Sequence, residues 1–352
     1  MDYYVDLNSE GGEGTDGSIG NPWGPNEFAA DLLVDRPSED TTYFIKGKFQ
    51  YPEPESNYVF GIGLRNSVTW DKWEATPPTI SMVLGDDKLG IRSLVGPPYT
   101  TKFPDTLTIK NCIMDAIGTG DNRHLFSFKS SAGDEFTRNV LLENCIFSMS
   151  NGGYGSRFIE VAQDELGVYN ISIKGCSFIS PWQEGGEGSP IIDIAIKNVR
   201  TSLIDIDSCY FDGSMQNYFS VENESVTNYK YCGFYNNYRG FNSDGTAGPG
   251  NQISTESPSQ LADVNKSAMD YTLPDDVTPI EESLLIGAAD PALGLATDMF
   301  GTTRGSPDTI GSVSVYAAPP TPPTPAATRG RIFGTGRTIS LSHNTLYDRS
   351  KG

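Results

Sequence analysis

Short runs of alternating hydrophobic and polar residues recur along this chain. Thr106–Asp115 reads Thr-Leu-Thr-Ile-Lys-Asn-Cys-Ile-Met-Asp, and altered copies follow at Asn139–Ser148, Asn170–Ile179, Ser202–Phe211 and Val226–Phe234. Within the copies, Leu107 and Ile109, Val140 and Leu142, Ile171 and Ile173, and Ile204 and Ile206 keep a two-residue spacing that predicts half-buried β-strands. The Asn-Cys step then shifts the parity, as a bend would. Beyond it Cys112 and Met114, Cys145 and Phe147, Cys176 and Phe178, Cys209 and Phe211, and Cys232 and Phe234 point inward.

The cysteines of successive copies are 33, 31, 33 and 23 residues apart. A second column of strands runs in phase, at Leu125–Phe128, Phe158–Val161, Ile191–Ile194 and Tyr218–Val221, spaced by 33, 33 and 27 residues. Two strand types sharing one period predict stacked coils about 4.8 Å apart, an all-β parallel β-helix. The last outward position before the bend reads Lys110, Glu143, Lys174, Asp207, Lys230. Opposite charges would then adjoin in the stack, each exposed pair worth about 0–1 kcal/mol. Paired Asn111 and Asn144 at the next position are expected to bond between coils.

The flanks read differently. Asp2–Asp6 is an expected strand, and Asn26–Asp35 an amphipathic helix with Phe28, Leu32 and Leu33 on its apolar face and Asn26 as N-cap. The expected organisation is an N-terminal helical cap (1–40), β-helix coils (41–250), a turn-rich region closing the other end (251–318), a Pro-rich linker (319–327) and an extended tail (328–352).

Composition agrees with short strands and many turns: 38 Gly and 23 Pro among 352 residues, with 37% hydrophobic. The formal charge of −20 argues against a nucleic-acid-binding body. Thr328–Gly352 carries +4, leaving −24 on the rest. Its alternating Thr338–Ser342 is too small to fold alone, so Arg329, Arg331, Arg337, Ile339, Leu341 and Arg349 are expected to dock onto a partner. Five cysteines in one repeat position read as buried filling, and the odd count argues against a closed disulfide set. No zinc spacing occurs, no cofactor is expected, and Ca²⁺ at the acidic Gly loops Glu10–Gly17 or Glu184–Gly188 is the weak exception. Met1–Asp6 lacks an export signal and no apolar run would span a bilayer, so neither secretion nor membrane insertion is expected.

Tyr3-Tyr4-Val5-Asp6 with its Gly-rich loop, Asn21-Pro22-Trp23 and the Asn-Cys-x-Phe coils resemble the pectate-lyase-like right-handed parallel β-helix superfamily. Thr297-Asp298-Met299-Phe300-Gly301, Arg304 and Asp308–Gly311 are similar to the segment that closes bacterial surface members. The resemblance covers about residues 2–316 and implies a right-handed solenoid. It leaves activity open, since the superfamily spans lyases, hydrolases, adhesins and phage tailspikes. The hydrolase strings Asn-Thr-Asp, Asp-Asp beside Gly-His-Gly, and Arg-Ile-Lys do not appear as a set. His124 reads as a surface histidine.

The best carboxylate pair is Glu160 with Asp193, expected outward on neighbouring coils about 5 Å apart, a separation that suits a retaining glycosidase or a shared cation. Among aromatics, Trp182, Tyr210, Tyr218, Tyr235 and Tyr238 read as exposed anchors for glycan or protein. The expected function is a non-enzymatic virion structural protein, a phage decoration, fibre or spike. It would assemble in the host cytoplasm, as an oligomer or part of a larger assembly. Its partners would be other virion proteins, met through the tail, and a host-surface glycan. A polysaccharide lyase or hydrolase, extracellular or at a cell surface, is the second reading.

Overall fold

The computed structural model describes residues 1–12, 14–52, 58–84, 92–96, 103–118, 123–130, 136–150, 157–163, 168–179, 192–196, 203–213, 219–221, 226–235, 245–254, 257–263, 266–306, 308–315, 331–334 and 337–340. The chain divides into two compact units, Met1–Tyr316 and Ala317–Gly352.

The first unit is built from three parallel sheets visited in rotation. A nine-stranded first sheet takes, in spatial order, Asp2–Asp6, Arg36–Lys46, Arg65–Lys72, Thr106–Lys110, Thr137–Glu143, Val168–Lys174, Leu203–Asp207, Val226–Lys230 and Thr246–Ala247. After a first-sheet strand of the repeat the chain turns into an eight-stranded sheet, for example through Ile113–Gly118 and Ile146–Ser150. It then enters a six-stranded sheet through Arg123–Ser130 and Arg157–Gln163 before returning to the first. Here the six-stranded sheet is called the second and the eight-stranded one the third. Neighbours pair in register, Val140 between Leu107 and Ile171, and Phe147 between Met114 and Phe178.

The bend between first and third sheets has one backbone solution, used five times. Asn111, Asn144, Gly175, Ser208 and Tyr231 all have positive φ, between 50° and 56°. This left-handed conformation costs an ordinary side chain about 1–2 kcal/mol, and Gly, Asn and Asp tolerate it best. The cysteine that follows is buried each time, and its thiol donates to the carbonyl two residues back: Cys112 to Lys110 at 3.1 Å, Cys145 to Glu143 at 3.2 Å, Cys232 to Lys230 at 3.2 Å. A small apolar side chain with a weak donor therefore fits the inside of the corner. All five thiols are free.

Inside the three sheets lies one core. Its rings run in a column, Phe147–Phe178 tilted at 5.0 Å, then Phe178–Phe211 and Phe211–Phe234 stacked at 4.9 and 5.0 Å. The helix covers Pro25–Leu32, with Gly24 as N-cap and Pro25 in its first turn, so Asn26 does not cap it. Proline suits that position because its missing N–H would have had no partner. Phe28 and Leu32 are buried, Phe28 between Tyr43, Phe60 and Trp70, whereas Leu33 lies past the end and is exposed.

A second core forms outside the third sheet. Ile113, Ile146, Ile179, Tyr210 and Tyr235 point away from the first core and are covered by Leu261, Tyr271, Leu285, Met299 and Ile310 of a turn-rich segment. That segment runs along the sheet as well as beside its last strands: Lys48 Nζ donates to the carbonyls of Met269 and Tyr271, and Lys72 Nζ to Met299. Its chief fastening is Arg304. The guanidinium is buried and donates to Asp308 at 2.7 Å, to the Asn144 side chain at 2.8 Å and to the Gly311 carbonyl at 2.9 Å. Asn144 thus bonds to this segment, with its own amide on the Thr297 carbonyl, while Asn111 reaches back to Asp71. The inter-strand Asn pair occurs instead at Asn139 and Asn170, 3.4 Å apart.

The second unit contributes one antiparallel pair, Arg331–Gly334 with Arg337–Ser340, in which Ile332 faces Ile339.

Candidate functional site

The outward face of the first sheet carries three columns of mostly polar residues, interrupted by Leu141 and Leu203, fixed there because alternate residues of each strand point away from the core. Asn139, Asn170 and Leu203 form one, Leu141, Ser172, Asp205 and Asn228 the next, and Lys110, Glu143, Lys174, Asp207 and Lys230 the third. The sign alternation is therefore real in register, and Asp71 extends it beyond Lys110 through a 3.1 Å ion pair. At the other end Lys230 bridges Asp207 at 3.1 Å and Asp290 at 2.5 Å. Burial pushes the Asp207 carboxyl up, against the pull of Lys230. Asp290 is also raised by burial, yet the Lys230 ammonium and the Ala292 N–H hold it below its ordinary value.

These columns floor a groove of about 650 Å³ whose lining includes Lys174, Asp205, Asn228 and Lys230, with Thr246–Gly248 and Ala292–Leu293 along its walls. A shallower depression of about 350 Å³ continues it over Asn139, Leu141, Asn170 and Leu203, sharing Ser172 and Asp205. Hydrogen-bonding groups spaced at the strand interval suit an extended polar ligand. The repeat predicted the columns, but the groove needs walls from Thr246–Gly248 and Ala292–Leu293, far along the chain, and no local pattern announced it.

The expected carboxylate pair is placed differently from its sequence reading. Glu160 does stand opposite Asp193 in the backbone register of the second sheet. Its side chain, however, is buried rather than solvated: it accepts from Ser127 Oγ at 2.9 Å and lies 3.6 Å from His124 Nε2. His124 is also fully buried, not a surface histidine. Alternation tells which face a residue takes but not what covers that face.

The aromatic expectation is corrected for the same reason. Tyr210 and Tyr235 are fully buried in the second core. The Tyr210 hydroxyl donates to Asp212 at 2.5 Å and accepts from the Gln260 N–H at 2.9 Å, and Tyr235 donates to Gln252 at 2.8 Å. Neither presents a face to a glycan. Half-exposed aromatics lie instead near the first strand, where Tyr4 stacks on Phe44 at 5.4 Å and Lys46 Nζ sits 4.3 Å from the Trp73 ring centre. Trp182, Tyr218, Tyr238, Arg329, Leu341 and Arg349 lie outside the described residues, as does Glu184–Gly188. Arg331, Arg337 and Ile339 fall on the tail strands. The N-terminal Gly loop is tied to the helix by the Gly12 N–H on Glu27.

Among the described residues no group of three His, Cys, Asp or Glu is placed to hold a metal ion, and no helix is long and apolar enough to cross a membrane. No protein-family model, curated protein or solved structure matches the chain.

Proposed function

We propose that this chain is a non-enzymatic structural protein of a virion, a right-handed parallel β-helix with its helix as N-terminal cap. In this reading it projects from the particle and docks through its basic tail. The observation that carries it is that Ala317–Gly352 forms a compact unit of its own, whose described residues are one two-stranded antiparallel pair. An isolated hairpin is marginal in water, so this strand pair gains stability by joining a partner's sheet or surface. The formal +4 of Thr328–Gly352, against −24 on the rest of the chain, favours an acidic docking face on the partner. Glycan adhesion belongs to the first-sheet groove, whose polar floor suits a saccharide chain. Deleting residues 319–352 should leave a folded body that no longer enters the assembled particle; undiminished incorporation overturns the docking reading.

A second reading, a polysaccharide lyase or glycoside hydrolase, is favoured by Glu160 facing Asp193 beside Ser127 and His124. Reducing-end and unsaturated-product assays over a polysaccharide panel test it. Any activity found should disappear in Glu160→Ala, and a panel without turnover rejects the enzyme.

A further inference from the structure

Burial raises the carboxyl of Asp115, on the outer face of the third sheet, to about 6. It lies in register between Ser81 and Ser148, all three fully buried under the turn Ala268–Asp270 of the covering segment. One oxygen, Oδ2, accepts from Ser81 Oγ at 3.2 Å and from Ser267 Oγ at 3.0 Å. The other, Oδ1, lies close to Ser148 Oγ, which also neighbours the Tyr271 hydroxyl, and none of the three atoms is in a well-formed hydrogen bond.

Among the described residues, no cation is paired with the carboxylate. Lys48, from the strand Lys48–Tyr51, spends its ammonium on the Met269 and Tyr271 carbonyls. From the covering segment, Lys266 pairs with Asp276 and Asp263, and Asp270 is exposed on the turn. Asp212, from the third sheet, and Asp276 add negative charge near Tyr271. The serine hydroxyls pull Asp115 down, but burial outweighs them.

We propose that the covering segment is seated by an acid-tightened latch, in which Asp115 takes up a proton beneath the Ser267–Tyr271 turn and holds that turn more firmly in mildly acid solution. The proton removes a buried charge and lets Oδ1 donate towards Ser148 Oγ, whose own hydrogen then turns to the Tyr271 oxygen. The sign follows from linkage. A carboxyl whose value is higher when buried than when exposed binds more protons in the closed state, so closure weakens as pH rises between the two values and levels off above the upper one. The window runs from about 4 to about 6. Asp276, held below its ordinary value, works in the opposite sense and is the same in any Asp115 variant.

The test is hydrogen exchange of the amides of residues 267–277 in the full chain, corrected for intrinsic rates, from pH 4 to 8. In the native protein the opening equilibrium should rise about tenfold per pH unit from pH 4 to 6 and then level off. Asp115→Asn, a neutral isostere, should remove most of that rise and keep the turn closed at pH 7. A native profile that is flat, or an Asp115→Asn profile as steep as the native one, overturns the latch. If Asp115→Asn does not fold, Ser81→Ala decides: loss of a donor to the ionised form should move the midpoint to higher pH, and an unmoved midpoint overturns the proposal.

Discussion

At the corner residues, backbone conformation and side-chain chemistry meet in two positions. The first must adopt positive φ and the second must fill the inner angle without an unsatisfied polar atom. Cysteine meets the second demand by donating to the carbonyl at the start of the bend, with Cys176 and Cys209 making the same contact at 3.4 and 3.3 Å. Burial pushes the thiols of Cys112, Cys176 and Cys232 well up, which leaves little of the reactive thiolate. The expected result is that a thiol reagent at pH 8 labels none of the five cysteines in the native protein and all five in denaturant. Early labelling of one would mark a corner that opens. Gly175 shows why the first position varies: a Cβ there would meet Leu295 at 2.9 Å and Arg304 at 3.2 Å. The Asn-Cys parity shift was legible in the sequence, because positive φ and inward filling leave a residue-type signature. The cover over Tyr210 and Tyr235 was not, since it depends on a distant segment that lies on the third sheet.

At the scale of elements, the turn-rich residues 257–315 hold on chiefly through point contacts and a small apolar core. Arg304 joins five groups, including Thr297 and Thr309 carbonyls, and ties the segment to the corner at Asn144. Removing one partner of a buried ion pair leaves an uncompensated charge, at a cost of about 3–5 kcal/mol. Arg304→Met should therefore lower the denaturation midpoint markedly and expose 290–315 to protease before the sheets unfold; a midpoint within error of the native one would show that Arg304 is dispensable. The sequence marked Thr297–Gly301, Arg304 and Asp308–Gly311 only as part of a closing segment; neither the role of Arg304 nor the route along the third sheet was legible. Nothing in its turns repeats with the coil period, so local sequence gives no register against the strands beneath.

On the scale of the whole molecule, the larger unit is built of many similar layers, whereas the described residues of the smaller are one two-stranded antiparallel pair. Stacked parallel layers share one continuous core, and each layer depends mainly on its neighbours. Loss of 319–352 removes no part of that core, which is why the deletion tests docking without testing folding. The outer first-sheet face of the larger unit carries the groove of about 650 Å³.

The alternating column Asp71, Lys110, Glu143, Lys174, Asp207, Lys230 has a consequence for how the layers find one another. The layers share strand patterns, Asn-Cys corners and Phe positions, so a chain that looped out one period could still bury similar residues. Such a slip would set Lys110 beside Lys174, or Glu143 beside Asp207. Like charges directly opposite are unfavourable in a sheet. Skipping two periods would restore opposite signs, but it closes a longer loop and abandons two layers of core. The column therefore acts as a parity check, rejecting the commonest miscount in a stack of near-identical rungs.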